Sequence, residues 1–400
     1  MQLIGSHHTT LALSFPLSLQ RSNPAYKAFL EGKPVPLETN AHPSSTCEPH
    51  RPPAVVGTWD DHDFGINDGG GGGSLTKYGV TDATERQRLF HDFLDTPADS
   101  PLRWRGGVYA SHQYGPSGRQ VKIILLDTRG RRALHAIPSV GSVSKYVPVV
   151  GGIFGMLGAF SRAAAAWLGL SNGGSNTLLD AEQWRWLEAQ LANSSAQAHI
   201  IVSSIQVLTS NPLVESWGHF PAERQRLLDL LNKTSPLGLL LLSGDVHMGE
   251  FMSGSASSEV LEVTSSGLTH TCSGGLVPGF VCSAVVRMFG AARYTGGPAY
   301  YSGRNFATMD FGWPRLGSVD AGCAPAITVR VRDADTGKTV LAYERPACVV
   351  DLQVQAPIVV LGGGAACFVR TLLMLGVAGV FLGIHRWRAA KAGRRQKGSH

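Results

Sequence analysis

The chain has 400 residues, a formal net charge of +6 and only 16% charged residues. That length fits one large domain or two smaller ones, and the low charge with abundant glycine (48 residues) excludes an intrinsically disordered chain. Arg386, Arg388, Lys391, Arg394, Arg395 and Lys397 supply six positive charges and no acidic residue follows Asp351, so the remainder is near neutral and no nucleic-acid-binding surface is evident.

The first fifty residues are poorly patterned, and Pro34, Pro36, Pro43, Pro52 and Pro53 interrupt the chain before its first strand. Leu11 to Leu19 is a modest apolar run that lacks a basic leader and contains Pro16, so it does not read as a secretion signal. Ala54 to Trp59 predicts a short buried strand. At its end Trp59-Asp60-Asp61-His62-Asp63-Phe64-Gly65-Ile66-Asn67-Asp68 packs four carboxylates, an imidazole and a carboxamide into ten residues. Like charges this dense repel unless a cation or hydrogen bonds compensate them. A metal cluster explains the density; a solvated acidic turn is the alternative. The five-glycine run from Gly69 to Gly73 lacks the Gly-Lys-Ser/Thr ending of a phosphate loop and reads as a flexible connection.

Ala83 to Leu94 predicts a helix, with Phe90, Phe93 and Leu94 apolar. Val121 to Leu126 predicts a strand running into Asp127-Thr128-Arg129, where ligand groups often lie in α/β sheets. Arg129 reads either as an anion-binding or site-supporting group or as a structural partner of Asp127. Tyr146 to Leu170 is a second apolar region, read as a buried hairpin or helix or as a membrane-touching insertion. Asp180 caps a helix through Trp184, Trp186, Leu187 and Leu191. Ile200 to Val207 predicts a strand and Pro221 to Leu231 a helix.

Leu237 to Leu242 predicts a fully apolar strand that runs into Ser243-Gly244-Asp245-Val246-His247. Oxygen and nitrogen donors two residues apart can converge on one ion where a strand ends. Both this block and the Asp60–Asp68 block come after apolar strands, so a parallel sheet brings them to one edge. Hard carboxylates with a carboxamide and an imidazole suit a binuclear hydrolytic centre. His62 is otherwise a surface histidine and Asn67 a turn residue; His219 and His270 are secondary candidates. Ala326 to Tyr343 predicts a late hairpin turning at Asp333 to Gly337. Alternation of strands with helices favours a layered α/β fold.

The apolar run from Pro357 to Ile384 is long enough to cross a bilayer and is interrupted only by Arg370, whose burial costs about 3 kcal/mol on insertion scales. It predicts a single transmembrane helix over 357–385, a buried or interfacial helix being the alternative. The basic 386–400 tail is then cytoplasmic and the large domain, 1–350, extracellular or lumenal. The six cysteines match no zinc motif, and an exported domain can pair some of them. Asn193-Ser194-Ser195 and Asn232-Lys233-Thr234 are glycosylation acceptors if that topology holds.

Several blocks in order resemble the PhoD-like metallophosphatases, also called the alkaline phosphatase D family: "PAVVGTWDDHDFGINDGG", "IILLDTRGRR", "EQWRWLEAQL", "IVSSIQVLTS", "ESWGHFPAERQRLLDLL", "LLLSGDVHMGE", "LEVTSSGLTH" and "YSGRNFATMDFGW". The resemblance implies a four-layer metallophosphoesterase core of two facing β-sheets flanked by helices. It implies hydrolysis of phosphomonoesters or phosphodiesters, small or lipid-linked, at a binuclear or multinuclear centre of iron with calcium or related divalent ions. By their places in the matched blocks, Asp61, Asn67, Asp245 and His247 look like metal-site residues and Asp60 a ligand or its support. His62 looks like the catalytic group that steadies the transferring phosphate or assists the leaving oxygen, and Arg129 is a second catalytic candidate, supporting the site or facing substrate.

The chain departs from the family at its beginning. Members carry an early strand with a metal-binding cysteine or aspartate, then a glycine-aspartate turn with a tyrosine after it. Nothing before Trp59 supplies these, and Gly5-Ser6-His7-His8 does not substitute. The expectation is a chain that begins inside the domain, lacks the carboxylate that bridges two metals and holds metal weakly through the remaining half-site. The alternative reading of its function is an inactive binding or structural membrane protein that kept the fold.

Overall fold

The computed structural model describes residues 21–33, 53–64, 68–71, 83–133, 135, 157–158, 160–162, 164–165, 177–209, 211, 213–253, 261–269, 271, 286–287, 294, 296–314 and 323–348. All lie in the first of two compact units, Met1–Pro357. The expected transmembrane helix over 357–385, the basic tail and most of the Tyr146–Leu170 region lie outside the described residues. Among the described residues no helix is long and apolar enough to cross a membrane.

In chain order the elements are α1 (Pro24–Leu30), α2 (Asp61–Phe64), α3 (Ala83–Phe93), β1 (Ala110–Tyr114), β2 (Val121–Leu125), α4 (Ala181–Ala192), β3 (Ala198–Val202), α5 (Pro221–Thr234), β4 (Leu240–Ser243), β5 (Gly249–Met252), β6 (Leu261–Ser265), β7 (Tyr300–Tyr301), β8 (Asn305–Gly312), β9 (Ala326–Asp333) and β10 (Thr339–Arg345). The fold is mixed α/β. Among the described residues one sheet has seven strands in the order β1-β2-β3-β4-β6-β5-β7, and a second has three in the order β10-β9-β8.

The centre of the large sheet is parallel. Ile123 pairs with Ile200, Ile200 with Leu240 and Leu240 with Leu261. Parallel strands need crossover connections, and α4 lies in the chain between β2 and β3 and α5 between β3 and β4. Each helix carries its start signal. The Asp180 side chain accepts the Gln183 amide at 2.8 Å, and Pro221 opens α5 where its missing N–H costs nothing.

Side-chain alternation splits the interior into two layers. Ile124, Ile201 and Leu241 pack with Trp184, Leu187, Leu227 and Leu231 beneath the helices. Their neighbours Leu240, Leu261 and Val263 pack on the other face with Ile327, Val329, Val331 and Leu341 of the small sheet. The large sheet is therefore sandwiched between α4–α5 and the small sheet. The late hairpin is β9–β10, antiparallel as expected, and a Cys323–Cys348 disulfide ties its ends with Cα atoms 4.8 Å apart.

Two expected strands differ. Ala54–Trp59 joins no sheet; the Thr58 hydroxyl instead donates to the Leu126 carbonyl at 2.7 Å, so a side chain rather than a backbone ladder holds this segment beside β2. The Ile200–Val207 strand ends at Val202. Beyond it the backbone leaves the sheet because a buried carboxylate on β6, Glu262, captures the amides of Val207 at 2.7 Å and Leu208 at 2.6 Å.

Burial pushes the Glu262 carboxyl up to about 7, against the pull of its backbone and Ser243 hydrogen bonds. Its unfolded value is about 4.3. A folded value above the unfolded one means that the stability Glu262 contributes is fully present below about pH 4.3 and is lost as pH rises through about 7. In urea titrations across that window, Glu262→Gln should gain about 3 kcal/mol relative to the unsubstituted protein. An unchanged difference at pH 4.5 and 7.5 would show that Glu262 is ionised throughout.

Candidate metal centre

The parallel strands end on one edge of the large sheet, and three loops leave from there. Asp127-Thr128-Arg129 extends from β2, Ser203-Ser204 from β3, and Gly244-Asp245 from β4. The Trp59–Phe64 segment lies across this edge, with Trp59 and Phe64 packed edge to face at 5.1 Å.

Asp127 fixes the segment to the edge. Its Oδ1 accepts from Trp59 Nε1 at 2.7 Å, the Arg129 amide at 2.9 Å and the Gly130 amide at 2.7 Å, and its Oδ2 from the Val108 amide at 3.0 Å. Gly130 is glycine because a Cβ there would lie 2.5 Å from Asp127 Oδ2. The Arg129 guanidinium does not pair with Asp127, which corrects the structural alternative. Its Nε and Nη2 donate to Asp60 Oδ1 at 3.1 and 2.6 Å, and its Nη1 donates to Glu215 Oε2 at 2.5 Å.

The result is a cluster of carboxylates. Asp60, Asp61 and Asp245 each offer an oxygen, and these lie within 4.8 Å of one another. Burial pushes the Asp61 carboxyl up to about 6, and the negative charge of Asp60 adds to the shift. Burial likewise pushes Asp245 well above the carboxylate range, reinforced by Asp60 and Asp61 and opposed by Arg129. Three hard oxygen donors that destabilise one another fit a divalent cation.

The backbone is bent to present them. Asp245 and His247 both adopt left-handed conformations, with φ of 74° and 56°, and Asp68 has φ of 52°. Such residues cost on the order of 1–3 kcal/mol each and persist where the surroundings over-determine them. The His247 amide donates to Ser266 Oγ at 3.0 Å.

The other expected site residues take different positions. His62 lies on α2 with its side chain 36% exposed and Nε2 4.0 Å from Asp61 Oδ2. His247 comes after Asp245 on the same loop, and its ring is outside the carboxylate cluster found among the described residues. Asn67 and His270 lie outside the described residues. His219 is buried, its ring 5.9 Å from that of His135.

Sequence reasoning did not single out Glu215, Arg132 or His135. Glu215 Oε1 accepts from Arg132 Nη1 and pairs with His135 Nε2 at 2.6 Å. Burial alone would raise the Glu215 carboxyl, but the Arg129 and Arg132 guanidiniums and the His135 bond outweigh it and hold it well below the usual range. Burial, with Arg132 nearby, depresses His135 to about 3, so the ring is neutral and donates through Nε2–H. Glu215 and Arg132 both lie inside blocks that carried the family resemblance, but nothing in their spacing marks them as partners.

The sequence model of the PhoD-like phosphatase family matches residues 39–275. Among solved structures, the chain is similar to one described as the structure of PhoD, at 18% identity and a TM-score of 0.43, covering 71% of this chain and 54% of that one. It is also similar to a purple acid phosphatase isolated from yellow lupin (Lupinus luteus) seeds, at 13% identity and a TM-score of 0.35, covering 72% of this chain and 38% of that one. The chain thus spans about half the length of the first structure and less of the second. No curated protein matches it.

Because the three carboxylates repel one another, removing one charge should stabilise the metal-free protein. Asp245→Asn is expected to raise stability by roughly 1–2 kcal/mol in urea titrations with chelator present. An equal or lower stability would mean that the cluster is not strained by its own charge.

Proposed function

The chain belongs to the PhoD-like phosphatases, and from that premise we propose that it is a metal-dependent phosphoric ester hydrolase. The observation that carries the reading is the convergence of Asp60, Asp61 and Asp245 at the ends of parallel strands. These residues hold the cation, with Asn67 and His247 as further ligands of a binuclear or multinuclear site, iron with calcium being the pair the family suggests. Bound cations supply Lewis acidity and a nucleophile at neutral pH.

The chain's own residues divide the remaining work. His62, half-exposed beside Asp61, faces the transferring phosphoryl group, where it donates a hydrogen bond to a developing negative oxygen or a proton to the leaving oxygen. Arg129 is fully buried and spent on Asp60 and Glu215, so it positions Asp60 rather than touching substrate. Trp59 and Phe64 close the apolar side of the segment that carries the ligands.

The substrate is a phosphomonoester or phosphodiester, small or lipid-linked. A lipid-linked ester accords with the proposed anchor at 357–385, which would hold an extracellular or lumenal domain at a membrane surface. The Cys323–Cys348 disulfide supports an oxidising compartment for that domain. A second reading, an inactive binding or structural member that has lost part of its metal site, draws support from the two Arg129 hydrogen bonds already seated on Asp60 Oδ1, an oxygen that a cation would otherwise take.

The test is hydrolysis of p-nitrophenyl phosphate and bis-p-nitrophenyl phosphate by the full chain loaded with iron and calcium or with manganese. His62→Ala is expected to lower kcat on the order of 100-fold or more, and Asp61→Asn to abolish both turnover and metal retention measured by elemental analysis. Substoichiometric metal without turnover in the folded chain would favour the second reading; turnover that survives Asp61→Asn would exclude both.

A further inference from the structure

The hydrolytic reading leaves a buried acid unused. Glu215 precedes the short 3₁₀ turn Trp217–His219, and its side chain is 1% exposed. The segment around it is pinned by a bridge between Gln206 and Ser216 and by the Trp217 amide donating to the Gln206 carbonyl at 2.9 Å. Its two oxygens take three donors, from Arg129, Arg132 and His135. None of these three donors belongs to the carboxylate cluster itself.

Traced outward, the two arginines form a fork. One tine runs from Glu215 Oε2 through Arg129 to Asp60 Oδ1. The other runs from Glu215 Oε1 through Arg132, whose Nη2 donates to the Asp68 carbonyl. The Asp68 amide then donates to Asp61 Oδ2 at 2.8 Å. Both adjacent acids of the cluster are therefore tethered to the same remote carboxylate.

Charge gives the fork its second role. Arg129 and Arg132 are both wholly buried. Without Glu215 the two guanidiniums would add a charge of +2 behind the acids that must attract a cation, in surroundings that screen poorly. With Glu215 the three side chains carry a net charge of +1 instead of +2. His135, neutral, adds a hydrogen bond without adding charge.

We infer that Glu215 is a positioning residue for the cation site, aiming Asp60 and Asp61 through Arg129 and Arg132 and neutralising the charge these arginines bring. The inference rests on the proposed function only in that a cation occupies the Asp60–Asp61–Asp245 cluster. It assigns to the "ESWGHF" block a task in metal retention, not only in packing.

Manganese binding to the full chain, monitored by electron paramagnetic resonance of the free ion, tests it without relying on activity. Glu215→Gln keeps the shape and removes the charge; it is expected to weaken manganese binding about 10- to 100-fold. Glu215→Asp keeps the charge but is too short to span both guanidiniums, and its affinity should fall between the two. Arg132→Gln cuts the Asp68 tine and leaves Arg129 on Asp60, but it also removes one positive charge, so it should weaken binding less than Glu215→Gln does. The combination of Glu215→Gln with Arg132→Gln should lose less than the sum of the two.

Circular dichroism in the near ultraviolet identifies which variants fold, and Glu215→Asp carries the test if Glu215→Gln does not. Wild-type affinity in a folded Glu215 variant overturns the inference, as does strict additivity with Arg132→Gln. Failure of Glu215→Asp to fold would also overturn it, since the residue would then be a folding determinant rather than a positioning one. If the unsubstituted chain itself binds no manganese, the proposed function fails instead.

Discussion

Three carboxylates whose oxygens lie within 4.8 Å of one another repel, and much of the surrounding structure is an answer to that repulsion. Left alone in a half-buried site, such groups take up protons, as the raised values of Asp61 and Asp245 indicate. Arg129 is the nearest compensating charge. A buried arginine needs its own partner, and Glu215 provides it from the side away from the cluster. The chain alternates sign outward from the site: carboxylates, two guanidiniums, then one carboxylate. Replacing these buried ions with apolar side chains is often neutral or favourable for stability, so their presence here points to the site rather than to the fold.

The position of this chain of charges is set by sheet geometry. Parallel strands all end on the same edge, and the central four put the loops after β2, β3 and β4 side by side. Asp245 reaches the cluster because it accepts a left-handed backbone, and at Gly244 the Ser204 carbonyl approaches so closely that a Cβ would lie 3.2 Å from it. Asp60 and Asp61 arrive from a segment that joins no ladder, so they depend on Asp127. That one side chain binds the Trp59 indole and the loop of Arg129 together, fixing the distance between ligand segment and sheet. Asp127 is conspicuous in sequence as a strand-end acid, yet its chemistry is architectural.

Much of this was legible in the sequence because it is local. Apolar runs and periodicity mark α3, α4, α5, β2, β3 and β4, though not β6, and the acidic blocks announce themselves after apolar runs. Asp180 and Pro221 give the helix starts correctly for the same reason: their effects act within one turn. What was not legible is long-range. Glu215 lies 86 residues from Arg129 and 80 from His135, and no spacing rule links charges that far apart. The strand expected over 200–207 fails because Glu262, more than fifty residues later, offers its carboxylate to amides that would otherwise continue the ladder. Ala54–Trp59 has the composition of a strand, but its held position depends on a hydroxyl meeting the Leu126 carbonyl.

The polar interior under β4 ties these threads together. Ser243, one residue before Gly244, bonds Thr264 at 2.8 Å; Thr264 accepts from Gln206 at 3.0 Å, and Gln206 also donates to the buried Glu250 at 3.0 Å. Gln206 bridges in turn to Ser216, the residue after Glu215. The loop that bears Asp245 and the segment that bears Glu215 therefore hang from one hydrogen-bonded network. An apolar core of the same volume would pack as densely, but it has no directional bonds and would allow small slips in register. A ligand set tolerates little displacement, on the order of 0.5 Å. The buried glutamates and glutamine are thus best understood as fixing where two loops sit relative to each other, at the expense of a core that is less than maximally apolar.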